Sequence, residues 1–357
     1  MDIKKNLVSQ DKLKEVPEDF FHLVFGRNFT DHMFIMKYTE EKGWHDPEIK
    51  PYENLCLDPA AIIFHYGQEV FEGQKAYRSP EGKILLFRPD ENGKRMNASL
   101  ERMCMPEIPL EDFITAEKEL LKVEQRWVPS QRGCALYMRP NVIATEPGLG
   151  LRPSTEYLFY IILSPVGPYY KKGFNPVSLW VSTEYVRSVK GGTGAAKTGG
   201  NYAGSLLASK IAFQKGYDQV LWLDAKELKY VEEVGAMNIF FYINDTLVTP
   251  ELSGSILPGI TRKSIIDLAK DMGIKVEERR ISIDEVIESI ENGSLKESFG
   301  CGTAAVITPV GTIGYKDKNY IINDNKTGEL TEKLFDILTG IQYGEIEDKF
   351  GWNLVIE

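Results

Sequence analysis

Lys197 lies among five glycines in the segment KGGTGAAKTGGNY, residues 190–202. A lysine in such a loop has two chemical uses, because its ammonium can hold a phosphate and its neutral amine can attack a carbonyl carbon. The interpretation without chemistry is a solvated lysine in a flexible surface turn. The segment by itself leaves all three interpretations open.

The phosphate interpretation rests on the run G-x-x-x-x-A-K-T from Gly191 to Thr198, one residue short of the nucleotide-binding loop G-x-x-x-x-G-K-[ST]. The run VLWLD at 220–224 would then supply the strand and the magnesium-binding Asp of an NTPase. However, Gly199 and Gly200 follow, and each glycine in a helix costs about 1 kcal/mol relative to alanine. A helix N-terminus facing a phosphate is therefore disfavoured here, and a nucleotide-binding NTPase is the weaker alternative.

Three further segments offer groups that bind anions or tune charge. SILPGITRKS places Pro258 and Gly259 before a helix expected to start near Ile260, whose N–H groups would face an anion. The small-residue turn at 300–305 brings N–H groups and the Thr303 hydroxyl close to an oxyanion. In KYVEEVGAMNIFF an acidic residue precedes a strand, where it would meet a cationic ring nitrogen. Taken singly, each also reads as a capped helix, a tight turn or a surface glutamate.

In this order along the chain, the segments resemble the fold-type-IV class of pyridoxal-phosphate (PLP) enzymes and, within it, the branched-chain amino-acid aminotransferases. The class signature reads here as EVGAMNIF at 233–240, LVT at 247–249 and LPGITR at 257–262. Runs similar to the longer members of this family cover nearly the whole chain: VFGRNFTDHMF, HYGQEVFEGQKAY, LFRPDENGKRM, LYMRPNVIATEPGLG and IQYGEIEDKFGW. D-amino-acid aminotransferases and aminodeoxychorismate lyases, which generally lack FGRNFTDHM and LYMRP, are the alternatives within the class.

The resemblance implies PLP as the cofactor, carried by the amine of Lys197, which then moves protons as general base and acid. It implies that Glu233, rather than its neighbour Glu232, pairs with the pyridine nitrogen, and that Tyr202 hydrogen-bonds the phenolic oxygen. The residues that it assigns to the phosphate are Arg95, Arg187, Thr303 and the amides of Ile260 and Thr261.

The strand ALYMRP at 135–140 is informative about the substrate, because alternation puts Tyr137 and Arg139 on one face of the sheet. By the resemblance, Tyr137 and the Thr303–Ala304 turn meet the substrate carboxylate, and Arg139 helps to accept the second carboxylate of glutamate. The resemblance implies transamination of leucine, isoleucine or valine with 2-oxoglutarate, giving branched 2-oxo acids and glutamate. It assigns Phe25, Tyr66 and Phe71 to an apolar substrate pocket, and Leu149 and Leu151 to a loop that completes the pocket of the neighbouring subunit in a homodimer.

The elements that must position these residues indicate a mixed α/β protein of the α+β type with two domains, since 357 residues exceed one ordinary core. The proline-rich and glycine-rich run SPVGPYYKKGFNPVS predicts a linker at 165–177. It would join a smaller N-terminal domain, 1–164, to a larger PLP-binding domain, 178–357, with the site at their interface. The predicted elements include strands at KILLF, ALYMRPNVIA and QVLWLD, a hairpin at NIFFYINDTLVT, a helix from about Ala203 to Lys215, and helix ends at Gly216 and Gly273.

Composition and net charge limit the classes of molecule that the protein is expected to bind. The net charge of −10 and a pI near 5.2 argue against a nucleic-acid binder and favour a small-molecule partner. The four cysteines are scattered without C-x-x-C spacing, which predicts reduced thiols in a cytoplasmic protein. No run reads as a targeting or membrane segment, and the isolated histidines predict no metal site.

Overall fold

A computed structural model describes residues 1–168 and 174–357, and the chain divides into two compact units. The first unit contains Met1–Tyr169, Ala196–Gly199 and Gly340–Glu357, and the second contains Tyr170–Ala195 and Gly200–Thr339. The centre of the predicted linker, 169–173, lies outside the described residues. The outer residues of that prediction belong to strands instead, because one strand runs to Val166 and the next begins at Val177.

The first unit contains a sheet that the alternating apolar pattern specifies well. Its strands are β1 (Lys4–Lys5), β2 (His32–Thr39), β3 (Gly43–Pro51), β4 (Glu69–Phe71), β5 (Gln74–Arg78), β6 (Ile84–Phe87), β7 (Ala135–Ala144) and β8 (Glu156–Val166). They lie in the order β1-β3-β2-β8-β7-β5-β6, and β4 pairs with β7. Leu136 and Met138 of β7 are fully buried in the core. The alternation predicted for ALYMRP is confirmed, since Tyr137 and Arg139 contact each other away from that core.

Helices cover the core face of this sheet. They are α1 (Ile62–Tyr66), α2 (Pro89–Arg102) and α3 (Leu110–Glu124), with 3-10 turns at Gln10–Lys12 and Gln125–Trp127. Helix α2 begins with a proline in its first turn, followed by two acidic residues that favour the positive end of the helix dipole. Met96 and Leu100 of α2 are buried in the same cluster as Phe113 of α3. This packing fixes the rotation of α2, and Arg95 and Ser99, one turn apart, are fixed with it.

The second unit is also mixed α/β. Its strands are β9 (Val177–Val181), β10 (Gln219–Leu223), β11 (Val231–Val234), β12 (Asn238–Ile243), β13 (Thr246–Thr249), β14 (Lys275–Glu278), β15 (Leu295–Gly302), β16 (Val306–Tyr315) and β17 (Lys318–Ile321). They form one sheet in the order β11-β10-β9-β16-β15-β12-β13-β14, with β17 on β16. The predicted hairpin is confirmed between β12 and β13, where Asn244 and Asp245 both have positive φ.

The helices of the second unit are α4 (Gly199–Ala203), α5 (Leu206–Gln214), α6 (Ile260–Asp271), α7 (Ile283–Glu291) and α8 (Glu329–Gln342), with a 3-10 turn at Asn323–Asn325. The helix predicted from Ala203 to Lys215 is found as α5, which starts later, at Leu206, because Gly204 weakens the helix and the Ser205 hydroxyl donates to the Tyr202 carbonyl at 2.7 Å. The short helix α4 precedes it and begins at Gly199, where the two glycines were expected to disfavour a helix. The predicted ends at Gly216 and Gly273 are confirmed, as both adopt left-handed φ.

The C-terminal residues depart from the predicted division of the chain. Residues 340–357, expected in the C-terminal domain, belong to the first unit. The strand β18 (Asn353–Ile356) pairs antiparallel with β6 and so extends the first sheet at that edge. The pairing satisfies backbone groups of β6 that would otherwise form an open edge. No helix among residues 1–168 and 174–357 is long and apolar enough to cross a membrane.

One buried carboxyl group in the first unit stands out by its charge state. Glu117 of α3 is fully buried and accepts a hydrogen bond from the Gln74 amide. Burial raises the pKa of Glu117 well above its usual range, and the nearby charge of Glu72 raises it further. The folded protein therefore favours the neutral acid form of Glu117.

We expect Glu117→Gln to stabilise the fold increasingly as the pH rises. With a raised pKa in the folded state, wild-type stability falls as the pH rises above the unfolded value near 4.5, since only the unfolded chain gains the favourable ionisation. The amide removes this dependence. We expect the free energy of unfolding of Glu117→Gln to exceed that of the wild type by more than about 1 kcal/mol at pH 8, with little difference at pH 4.5. Denaturant titrations across this range measure the difference.

The matched control is Glu119→Gln on the exposed side of the same helix. Hydrogen bonds from Lys5 and then Lys122 lower the pKa of Glu119, so this variant loses a little stability as the pH rises. If the difference in free energy of unfolding between Glu117→Gln and the wild type stays constant from pH 4.5 to 8, the assignment of a neutral acid is contradicted.

Candidate active site

The backbone of Lys197 is fixed on two sides within the first unit. The Phe71 N–H of β4 donates to the Lys197 carbonyl at 3.0 Å, and the Lys197 N–H donates to the Ser99 hydroxyl of α2 at 2.9 Å. The amine lies 4.9 Å from the centre of the Phe71 ring. Lys197 is thus held by a strand and a helix, which is not expected of a lysine in a flexible surface turn.

The glycines around Lys197 allow close packing. A Cβ on Gly199 would overlap the Glu69 carboxylate of β4, and one on Gly194 would overlap the Ser255 carbonyl in the second unit. The Asn201 side chain also bridges the loop, because it donates to the Thr193 carbonyl at 2.8 Å. The glycine-rich segment is therefore closely packed on both sides of Lys197, although its spacing resembles a phosphate loop.

Arg95 of α2, expected to bind a phosphate, is held by a residue that the sequence reasoning missed. Its Nε and Nη2 atoms lie 2.7 and 2.8 Å from the two carboxylate oxygens of Glu72. Glu72 lies in FEG, directly after β4, and is fully buried. The sequence carries no clear signal for Glu72, since the surrounding run QEVFEGQK is mostly polar and does not mark this glutamate as buried. Ser99, which binds the Lys197 backbone, was missed as well and carries no signal either.

Four of the predicted substrate residues form one cluster in the first unit. Arg139 Nη2 donates to the Tyr137 hydroxyl at 3.0 Å. The Tyr137 ring packs edge-on against Phe25 at 5.0 Å, and the Arg139 guanidinium lies 4.6 Å from the centre of the Phe71 ring. The cluster presents a cation and a hydroxyl beside two apolar rings, which suits a ligand with a carboxylate and an aliphatic part.

The other three predicted pocket residues of this unit are Tyr66, Leu149 and Leu151. Tyr66 donates from its hydroxyl to the Leu149 carbonyl at 2.5 Å. Leu149 is 67% exposed and Leu151 is 81% exposed. Apolar side chains so exposed are typical of positions that contact another molecule.

Glu233 of β11 is the centre of a polar cluster in the second unit. Its carboxylate is 2.5 Å from Arg187 Nε, and it accepts hydrogen bonds from the Leu257 N–H at 3.1 Å and the Asn238 amide at 3.3 Å. Both partners of the Arg187–Glu233 pair are more than 90% buried. Arg187 was expected at the phosphate, which stays a prediction, and the structure adds its contact with Glu233.

The neighbouring Glu232 lies in different surroundings, as alternation along β11 requires. Its carboxylate accepts a hydrogen bond from the Ser255 hydroxyl, and burial raises its pKa. It lines a cavity of about 330 Å³ together with Lys190, Tyr230 and Arg280, and Glu233 does not line this cavity. The Glu232 carboxylate thus binds Ser255 and lines this cavity, whereas the Glu233 carboxylate pairs with Arg187.

The expected phosphate segments of the second unit have suitable local geometry. Helix α6 begins at Ile260, and within the described chain no side chain caps its N-terminus. The backbone N–H groups of Ile260 and Thr261 thus lie at the positive end of a helix dipole. Thr303 and Ala304 lie in the turn between β15 and β16, which ends at Val306 with a φ of +62°. A β-branched residue in this conformation is strained, and such strain clusters at functional turns.

The structure also shows the surroundings of Tyr202 and Asp224, two further residues that the sequence analysis considered. Tyr202 lies half-buried in α4, five residues after Lys197, and its bond to the cofactor stays a prediction. Asp224, the magnesium ligand of the NTPase alternative, accepts the backbone N–H groups of residues 226, 227, 229 and 230. Its carboxylate thus closes the turn after β10, which removes support from the NTPase interpretation.

The residues present fit PLP in their chemistry. A buried carboxylate held by an arginine suits a cationic pyridine nitrogen, an uncapped helix N-terminus suits a phosphate, and a backbone-anchored lysine suits a carbonyl carbon. Lys197 and Arg95 belong to the first unit, and Glu233, Ile260 and Thr261 belong to the second.

We expect Arg187→Met to lower the free energy of unfolding by about 3–5 kcal/mol, because it leaves the buried Glu233 carboxylate without its cation. Arg279→Met is the matched control: Arg279 pairs with Glu285 at 2.6 Å but is about one third exposed, so it should cost no more than about 1 kcal/mol. Adding Glu233→Gln to Arg187→Met should recover part of the loss. Equal losses for both arginine variants in denaturant titrations would contradict this account.

Comparison with known proteins places these observations in a family. The model described as amino-transferase class IV matches residues 69–313. The chain is 54% identical to branched-chain-amino-acid aminotransferase 2 of Bacillus subtilis, over 98% of this chain and 96% of that protein. It is 53% identical to the branched-chain-amino-acid aminotransferase of Mycolicibacterium smegmatis, over 92% and 90%.

Solved structures agree. The Escherichia coli branched-chain amino acid aminotransferase aligns with a TM-score of 0.76 at 28% identity, covering 91% of this chain and 99% of that chain. The T.th. branched-chain amino acid aminotransferase solved with N-(5'-phosphopyridoxyl)-L-glutamate aligns with a TM-score of 0.74 at 26% identity, covering 91% and 98%. The mixed α/β fold and the family expected from the sequence are thus confirmed, and the chain belongs to the class IV aminotransferases, among the branched-chain-amino-acid aminotransferases.

Proposed function

We propose that this protein is a PLP-dependent transaminase that moves the amino group between leucine, isoleucine or valine and 2-oxoglutarate. The observation that carries the proposal is the placement of Lys197, whose backbone is bound by β4 and α2 and whose amine lies against the Phe71 ring. The 54% identity to a branched-chain-amino-acid aminotransferase over 98% of the chain supports the same reaction.

In this proposal, residues of both units hold one PLP molecule. Lys197 carries it, Glu233 keeps a proton on its pyridine nitrogen, and Tyr202 hydrogen-bonds its phenolic oxygen. Its phosphate is bound by Arg95, Thr303, the N–H groups of Ile260 and Thr261, and Arg187. When bound, PLP supplies an electron sink for the bond broken at the substrate Cα.

The protein's own groups then perform proton transfer and binding. The Lys197 amine removes the proton from the substrate Cα and returns it on the other side of the reaction. The Arg187 guanidinium keeps the Glu233 carboxylate ionised and in place, which matters because only the ionised form holds a proton on a ring nitrogen. The buried position of both residues keeps water from competing for these contacts.

The substrate cluster of the first unit would explain the choice of partners. Phe25 and Phe71 offer apolar surface to a branched side chain, and Tyr66 adds to the same pocket. Tyr137 meets the substrate carboxylate together with the Thr303–Ala304 turn. Arg139 binds the second carboxylate when glutamate or 2-oxoglutarate is bound. Its guanidinium donates a hydrogen bond to the Tyr137 hydroxyl, which keeps the two groups together.

We further propose that the protein acts as a homodimer in the cytoplasm. The exposure of Leu149 and Leu151 supports the dimer, because their loop would complete the pocket of the neighbouring subunit. The four cysteines are all free thiols, which supports a reducing compartment.

We expect Lys197→Ala to remain folded but to lower kcat for leucine with 2-oxoglutarate by at least about 1000-fold, because it removes the proton-transferring amine. Lys190→Ala, in the same segment and exposed, is the control and should retain activity. Borohydride treatment of wild type with PLP should attach the cofactor to the peptide that contains Lys197. A colourless protein that retains magnesium-ATP would instead support the NTPase alternative.

We expect an amino-donor panel with 2-oxoglutarate to give kcat/KM values for L-leucine, L-isoleucine and L-valine at least about tenfold above those for L-aspartate and L-alanine. The apolar Phe25 and Phe71 rings favour aliphatic groups, and each methylene in such a pocket contributes about 1–3 kcal/mol. D-alanine tests the D-amino-acid alternative, which would be supported by turnover of that donor above L-leucine.

A further inference from the structure

Glu72 is placed where the Arg95 guanidinium of the first unit needs a counter-charge. Besides the two-point contact with Arg95, its Oε2 atom accepts hydrogen bonds from the Asn92 amide at 2.8 Å and the Gly73 N–H at 3.1 Å. Burial by itself would raise the pKa of Glu72, but the charge of Arg95, its hydrogen bond and the charge of Lys197 outweigh burial and lower it. Glu72 is therefore ionised although no part of its side chain is exposed.

The contrast with Glu117 shows that this charge state is specific to the position. Both carboxyl groups are fully buried in the same unit, yet the pKa of Glu117 is raised and that of Glu72 is lowered. The ionised carboxylate is the one that contacts Arg95. Since buried ion pairs are often no more stable than apolar side chains of similar volume, fold stability alone gives weak reason for this pair.

The geometry of the contact controls how Arg95 is oriented. Two parallel N–H···O bonds between a guanidinium and a carboxylate fix the plane of the guanidinium as well as its position. Glu72 itself is fixed by its bonds from Asn92 and Gly73. The long Arg95 side chain is thus set in one orientation before any ligand arrives, which reduces the ordering cost of binding.

We propose that Glu72 is a positioning residue, which sets the Arg95 guanidinium for the cofactor phosphate. This inference rests on the proposed function. It makes a demanding prediction, because Glu72 acts on phosphate binding in two opposite ways. The negative charge of Glu72 repels the phosphate, whereas its two-point contact with Arg95 orients the guanidinium that binds the phosphate. We expect the effect of orientation to be the larger one.

The test is binding of PLP and of pyridoxal, which lacks only the phosphate, to full-length protein freed of cofactor, followed by the absorption band formed at Lys197. We expect Glu72→Gln to weaken PLP binding at least about tenfold and to change pyridoxal binding less than about twofold. Arg95→Met should lose the same phosphate-dependent affinity, and adding Glu72→Gln to it should cause no further loss. Glu117→Gln, which also converts a buried carboxyl into an amide, is the matched control and should bind both compounds like wild type.

Each other outcome overturns the inference. Unchanged PLP binding by Glu72→Gln means that Arg95 needs no support, and tighter binding means that Glu72 only neutralises charge. Equal losses for PLP and pyridoxal mean a general structural role. If Glu72→Gln does not fold, Glu72→Asp keeps the charge but shortens the arm, and the same phosphate-dependent loss is expected and required. Absence of PLP binding by wild type would instead refute the proposed function.

Discussion

The rest of the structure depends on keeping ionised carboxylates inside a dry protein, because an unpaired buried charge costs far more than the marginal stability of a fold allows. Glu72 and Glu233 meet this constraint in the same way. Each is paired with one arginine and bound by a side-chain amide and a backbone N–H. Each arginine thereby loses its freedom to move, so that the pairing which makes the charge tolerable also fixes the cation beside it.

Lys197 is positioned by a different means. Its backbone is bound by Phe71 and Ser99, and its amine lies 4.9 Å from the centre of the Phe71 ring. This positioning of the backbone explains the glycines on either side, since close backbone contacts at Gly194 and Gly199 leave no space for a Cβ. The resemblance to a nucleotide-binding loop arises because both kinds of loop need close backbone approach, although to different neighbours.

Features fixed by local chemistry were predictable from the sequence. The Asn244–Asp245 hairpin needs two positive φ angles, the face of β7 follows strand alternation, and Gly273 ends α6 as a left-handed residue. Features that depend on distant partners were not. Pairing of β18 with β6 joins residues more than 260 positions apart, and nothing local distinguishes β18 from another C-terminal strand. The strained φ of Val306 contradicts its own local preference.

In the candidate site too, residues that belong to a motif were predictable, whereas residues that depend on distant partners were not. Motif spacing chose Glu233 over Glu232, and alternation along β11 gives that choice a physical basis, as the Glu233 carboxylate pairs with Arg187 and that of Glu232 binds Ser255. Spacing also selected Arg95, but it gave no information about what holds the guanidinium. A motif records the groups that meet the ligand, whereas the groups behind them are set by three-dimensional packing. Glu72 belongs to the second kind, because the run EVFEG contains two glutamates and nothing local shows which of them meets an arginine.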